Sequence, residues 1–250
     1  MIKKVKLGSL YMGDEPTSGK TRRYDTKIRP RVSIGDTVPG KEISWVPLGN
    51  LLIADRCLLT NVSWRDLDSS GLVEGVDITI DGAPMRCRLL GTAHTRTETS
   101  EWLAAMDELG DTPAFWHADD LMFWVREPAI GPGIQIVRGS SNDKSPSRLR
   151  MSNSFREDMR LPSIGFRPVL EFLVPPESVD DSFLGEALVV QNGTERLLGK
   201  LIEVTPYDLV LRAVPGSTLP KAGAGWFAKT VGEEHMIVVA REEIDDIIKW

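Results

Sequence analysis

Short alternating apolar runs, each closed by a turn dipeptide, set the architecture of this 250-residue chain. The strictest is Val76-Asp77-Ile78-Thr79-Ile80, which meets Asp81-Gly82 and is answered by Met85 to Leu90. Alternation points one face of a strand inward, and Asp-Gly accepts the left-handed backbone of a two-residue turn, so a hairpin is expected here. Gly49-Asn50, between Ile43–Pro47 and Leu51–Ala54, gives the same signal and turns Trp45 towards a core. Val5 to Met12 reads as an opening strand, and the charged, turn-rich stretch from Gly13 to Lys27 as a loop.

Helical signals are fewer. Ser100-Glu101 offers a cap, Trp102, Ala105, Met106 and Leu109 recur on one helical face, and Gly110 supplies a stop, so a short amphipathic helix is expected there. Trp64 to Leu72 reads as a connecting turn. Leu121 to Val125 is a core strand or a short helix entering one, since so short an apolar run fits either period.

Val174 to Ser182 is prolyl, acidic and poor in apolar residues, the composition of a linker. Two domains are therefore expected, 1–173 and 185–250, joined by 174–184. In the second, Ala187–Val190, Arg196–Val204, Asp208–Arg212 and His235–Ala240 are strand-like and suggest a small β-barrel. Glu242 to Trp250 carries Ile244, Ile247 and Ile248 at helical spacing and is expected to be a terminal turn.

Composition narrows the function classes. No apolar run approaches the length of a membrane span. Met1 to Leu7 begins basic but has no apolar stretch behind it, so a secretory leader is not expected, and the expected location is cytoplasmic or virion-associated. Cys57 and Cys87 sit inside apolar runs and read as two buried thiols. The net charge of −6 argues against a chain-wide nucleic-acid footprint while leaving room for a local basic patch.

The candidate patch is Arg138 to Leu170, a polar, arginine-rich insert that ends in the apolar run Ile164 to Leu170. No apolar residue recurs between Gly139 and Pro162 at a period that would bury a face, so the insert is expected to be a surface loop pinned by a core strand, where recognition usually sits. Ser140, Ser141, Asn142 and Asn153 offer adaptable polar groups, Arg148, Arg150 and Arg156 planar forks, and Phe155 an apolar anchor. Such a set suits a protein surface or an anionic ligand. His117 reads as a hydrogen-bonded histidine at a core edge, and Asp119-Asp120 as a cap rather than a calcium site. The residues themselves assign no catalytic group, metal or cofactor.

The motifs ISW, LLIADRCLLTNVSWRDLDSSGLVEGVDITIDG, RCRLL, SEWLAAM, FWVREP, RGSS and IGFRPVLE follow one another in the first 170 residues. Together they resemble bacterial and phage proteins with a C-type-lectin-like or formylglycine-generating-enzyme-like fold. The resemblance implies an α+β domain rich in short strands with one or two helices, in which the Gly165-Phe166-Arg167 strand lies in the core and the segment before it is displayed. It is similar in this to the variable proteins of diversity-generating retroelements. The sulfatase-modifying members of the group use two cysteines late in the domain, which the insert lacks, and the iron-dependent members a histidine set whose spacing His94, His117 and His235 do not reproduce. The run LLGKLIEVTPYDLVLRA, with HMIVVAREEIDDI, resembles Sm-like and SH3-like small barrels and implies docking or oligomerisation. The expected function is a non-catalytic recognition protein. Nucleic-acid binding through the insert and barrel is the alternative, and a metal-dependent oxidase ranks last.

Overall fold

The Asp81-Gly82 hairpin forms as its alternation requires. In a computed structural model of the chain, Val76–Ile80 pairs antiparallel with Ala83–Leu89, while Asp81 (φ 52°) and Gly82 (φ 84°) take the left-handed backbone of the turn. The structure describes residues 3–91, 100–117, 121–128, 131–139, 149–192, 195–214, 219, 226–231 and 234–249. The chain divides into two compact units, Met1–Glu171 and Phe172–Trp250.

The first unit opens with strands β1 (Val5–Met12), β2 (Glu15–Pro16), β3 (Arg22–Arg23), β4 (Val32–Gly35), β5 (Glu42–Leu48), β6 (Leu51–Ala54) and β7 (Leu59–Thr60). Helix α1 (Trp64–Asp68), the hairpin strands β8 (Val76–Ile80) and β9 (Ala83–Leu89) and helix α2 (Glu101–Leu109) follow. The unit closes with β10 (Met122–Pro128), β11 (Ile134–Arg138), β12 (Ser152–Arg156), β13 (Ile164–Phe166) and β14 (Pro168–Phe172). One sheet runs β2-β1-β5-β6-β14-β9-β8, with β4 also on β1. It curls until its far ends meet: Asp81 Oδ1 in the β8–β9 turn accepts from the Thr37 N–H at 2.9 Å, and the Asp81 N–H donates to Asp36 Oδ1 at 2.7 Å. A second sheet runs β12-β11-β10-β13-β7-β3.

Two apolar cores fill this unit. Leu10, Ile43, Trp45, Leu59, Trp124, Phe166 and Leu170 belong to one, and α2 buries Trp102, Ala105 and Met106 in the other against Trp116, Phe123 and Val169. Helix α2 has the expected bounds: the Ser100 hydroxyl caps it by accepting from the Leu103 N–H, and Gly110 (φ 85°) stops it. Cys57 and Cys87 are free and buried. Burial pushes the Cys87 thiol up to about 12, and raises Cys57 as well, so neither offers a thiolate near neutral pH.

The second unit contains β15 (Ala187–Asn192), β16 (Glu195–Val204), β17 (Asp208–Ala213), β18 (Trp226–Val231), β19 (Glu234–Ala240) and β20 (Asp246–Lys249). They form one antiparallel sheet in the order β18-β19-β17-β16-β15-β20, wrapped on Leu188, Leu197, Leu201, Leu209, Ile237 and Ile247. Gly199 permits the tight crossing of β16 and β17, because a Cβ there would lie 2.9 Å from Leu211 Cβ.

Four expectations are corrected. The α+β class gives way to a β-rich fold: strands build all three sheets, and only two α-helices, of 5 and 9 residues, occur among the described residues. Trp64 to Leu72 is not merely a turn, because the Ser63–Asp66 capping box nucleates α1 within it. The terminal segment is a strand, with Ile247 opposite Val190 and Ile248 opposite Val189; pairing with β15 overrides an apolar spacing too short to define a period. The small barrel is an open sheet among the described residues, since β18 and β20 end its strand order without pairing to each other. Leu121 to Val125, left between helix and strand, lies in β10 from Met122 onward. No helix among the described residues is long and apolar enough to cross a membrane.

Candidate binding surface

The insert contains a strand that its composition conceals. Ser152-Asn153-Ser154-Phe155-Arg156 has little apolar content, yet it pairs with β11 in unbroken antiparallel register from Ile134↔Arg156 to Arg138↔Ser152. Backbone pairing with the apolar Ile134-Gln135-Ile136-Val137 run, together with burial of one ring, outweighs weak β-propensity. That ring is Phe155, which is half-buried and packs on the first core, so it is an internal anchor for the strand rather than an exposed one for a ligand. Ser152, Asn153, Ser154 and Arg156 are exposed.

β12 is an edge strand. It ends its sheet, and among the described residues no strand pairs with its outer side. The Gly139 N–H donates to Met151 O at 2.9 Å and the Glu157 N–H to Gly133 O at 3.0 Å, fixing odd-numbered residues of β12 as those that bond to β11. The antiparallel alternation then turns the N–H and C=O groups of Ser152 and Ser154, and the N–H of Arg156, outward. At the C-terminal end of the strand lies a groove of about 330 Å3 lined by Arg65, Pro132, Gly133, Ile134, Arg156, Glu157 and Asp158.

The charges on this surface are matched internally. Arg150 donates through Nη1 to Asp107 Oδ1 at 2.7 Å and through Nε to Asp111 Oδ2 at 3.2 Å, both aspartates belonging to α2 or the residues just after it. Those two hydrogen bonds hold the Arg150 guanidinium above its ordinary range. Arg156 forks onto Asp158 at 3.1 and 3.0 Å and holds that carboxyl below its usual range. Arg160 forks onto Asp66 at 2.7 and 2.6 Å, and Arg65 pairs with Glu157. Of the predicted set, Arg150 and Arg156 are therefore engaged as structural forks, and Asn153 Nδ2 donates to Gly139 O at 3.3 Å. Ser140, Ser141, Asn142 and Arg148 lie outside the described residues, as do His94, Asp119 and Asp120.

Comparison with known protein families, curated proteins and solved structures gives no match.

Beneath the surface, the Gly165-Phe166-Arg167 strand is held with little tolerance. A Cβ on Gly165 would lie 2.3 Å from Leu59 O. Arg167 is 1% exposed, with its guanidinium over Trp102 and Phe123, each 5.1 Å away, and over Trp116 at 5.8 Å. It donates to Trp116 O at 2.8 Å and Ala54 O at 3.3 Å; burial lowers its pKa, as expected where aromatic faces and carbonyls replace a carboxylate. A second buried cation, Arg88, bonds Glu101 and Glu171, each at 2.6 Å. Burial opposes the Arg88 charge, and the two carboxylates more than offset it, raising the pKa.

Asp55 is also buried, and accepts from Arg56 Nε at 2.8 Å and Lys4 Nζ at 3.0 Å. Burial acts to raise the Asp55 pKa, but these donors prevail and lower it. His117 stands 3.5 Å from the same carboxylate with its side chain 43% exposed, so it lies on the surface rather than at a core edge. Its pKa is lowered by partial burial and by Arg56.

The side chains of 152–156 do not announce the outward backbone groups of β12 or the groove beside them. Gly131-Pro132-Gly133 ahead of the alternating Ile134 to Val137 was the available signal: it marks a strand start, and a strand there requires a partner on each side or an edge.

Proposed function

We propose that this is a recognition protein whose first unit takes up an extended segment of a partner polypeptide along the outer edge of β12. The observation that carries the reading is the outward set of backbone groups at Ser152, Ser154 and Arg156, on a strand with exposed side chains and no bulge in its pairing with β11. Edge strands are usually blunted by proline, bulges or covering elements, and β12 has neither of the first two and no covering strand among the described residues. Strand addition draws affinity from main-chain hydrogen bonds and selectivity from side-chain pockets, and the groove beside Arg156 and Asp158 offers such a pocket.

A polypeptide suits this surface better than an anion. Arg150, Arg156 and Arg160 already hold carboxylates, so a phosphate or nucleic-acid backbone would have to displace them. The resemblance to lectin-like display proteins leads to the same stretch by a separate route. Selecting a displayed library of random peptides on the full chain tests the reading, with the selected peptides then measured against wild type and Ser154→Pro. Proline removes one outward N–H and leaves the β11 ladder intact. Peptides that bind wild type and lose affinity for Ser154→Pro support it. Failure to select any peptide, or equal binding to the variant, overturns it, and peptide-free dimerisation through the same edge would identify a second copy as the occupant.

A further inference from the structure

The second unit has a surface of its own, unconnected with the β12 reading. The first unit is electrically balanced, with 23 Asp and Glu against 23 Lys and Arg, whereas the second has 13 against 7, so the chain's net charge of −6 resides entirely there. Part of that charge surrounds a groove of about 770 Å3. Its apolar lining comes from Pro176, Val179, Val204, Pro206 and Ile244; Val179 and Ile244, 2% and 8% exposed, belong to the core beneath, and Pro176, Val204 and Pro206 supply the apolar surface open to a partner. Glu177, Asp180, Asp181 and Glu242 provide the acidic lining.

The one cation in this lining is not open to an anion. Arg241 donates through Nη1 to Pro176 O at 2.7 Å, through Nη2 to Val179 O at 2.8 Å and through Nε to Thr205 O at 2.9 Å. All three guanidinium nitrogens thus hold the walls of the groove together, joining 176–179 to the β16–β17 turn. Tyr207 in that turn is 79% exposed, directly after the lining residue Pro206. The groove therefore combines an apolar base, negative side chains and fixed walls. A negatively charged ligand meets repulsion, and a purely apolar one makes no use of the carboxylates.

We propose that this groove docks a basic polypeptide segment, one that sets an aliphatic side chain on Pro176, Val204 and Pro206 and carries Lys or Arg on either side to meet Glu177 and Glu242. Charge complementarity favours a basic partner: Glu177, Asp181 and Glu242, with Asp180 accepting from Ser182 beside them, surround a lining whose single cation is internally engaged. The size is that of a site for a few side chains.

The test uses the full chain and three short fluorescent peptides: one with a central Leu-Val flanked by lysines and arginines, one with Gly-Ser in place of Leu-Val, and one with glutamates in place of the basic residues. Fluorescence anisotropy should show binding of the first alone. Glu177→Lys with Glu242→Lys should weaken it by about tenfold or more, the equivalent of about 1.4 kcal/mol. Both glutamates are exposed, and circular dichroism checks that the fold survives. Asp14→Lys with Glu15→Lys, in the first unit, changes the total charge equally and should leave the affinity unchanged. No binding of the first peptide, equal binding of the Gly-Ser peptide, or indifference to the Glu177/Glu242 pair would each overturn the proposal.

Discussion

Arg150, within the polar insert and just before β12, donates to Asp107 on α2 at 2.7 Å, tying that segment to the helix. One of the three arginine forks expected from the sequence is thereby neutralised by its own protein. Since Arg156 and Arg160 are matched in the same way, the full chain should show no salt-dependent affinity for single-stranded RNA or DNA at about 0.15 M ionic strength. Asp107→Asn with Asp111→Asn frees Arg150 and should introduce weak binding that disappears as salt rises. Anisotropy titrations at two salt concentrations check both outcomes.

The Arg88–Glu101–Glu171 cluster predicts a large and asymmetric mutational cost. Arg88→Ala leaves two carboxylates facing each other, with Glu171 at 3% exposure, and should destabilise the first unit by about 3–5 kcal/mol in urea unfolding. Glu171→Gln keeps an acceptor for Arg88 and leaves Glu101 in place, so its cost should be clearly smaller.

Acid should weaken the first unit through identifiable groups. Burial acts to raise the pKa values of Asp55, Asp66 and Glu101, but their cationic partners Arg56 and Lys4, Arg160, and Arg88 prevail and hold all three below the ordinary range. A carboxylate with a depressed folded pKa contributes stability above its unfolded pKa, about 3.9 for Asp and 4.3 for Glu, and loses it as pH falls through the folded value. Thermal midpoints should therefore decline as pH drops below about 4, and Glu101→Gln should flatten that decline.

The alternation along β12 separates two neighbouring proline variants. Asn153 faces β11 with its backbone, so Asn153→Pro removes a ladder hydrogen bond and should cost about 1–3 kcal/mol. Ser154→Pro removes only an outward N–H and should cost less than Asn153→Pro, within about 1 kcal/mol of wild type. Paired urea titrations give the comparison.

Much of this architecture could be read from local signals. Strict alternation and Asp81-Gly82 gave the β8–β9 hairpin, and Ser100, Trp102, Met106 and Gly110 gave α2 with its bounds. What could not be read depended on long-range pairing. Ser152–Arg156 is a strand because of Ile134–Arg138, and Asp246–Lys249 because of β15, neither of which is visible within the segment itself. The carboxylate partners of Arg150 were not legible either, since Asp107 and Asp111 lie some forty residues upstream of it. The backbone edge that carries the functional proposal is marked only indirectly, by Gly131-Pro132-Gly133 ahead of its partner strand β11.

That edge is tested most directly by amide hydrogen exchange at Ser152, Ser154 and Arg156, read by NMR with and without a peptide selected on the full chain. The account predicts that these three outward amides exchange rapidly in the free protein and slow by about tenfold or more in the complex, while the inward amides of Asn153 and Phe155 are protected in both. Unchanged exchange at Ser152, Ser154 and Arg156 in a saturated complex would contradict it.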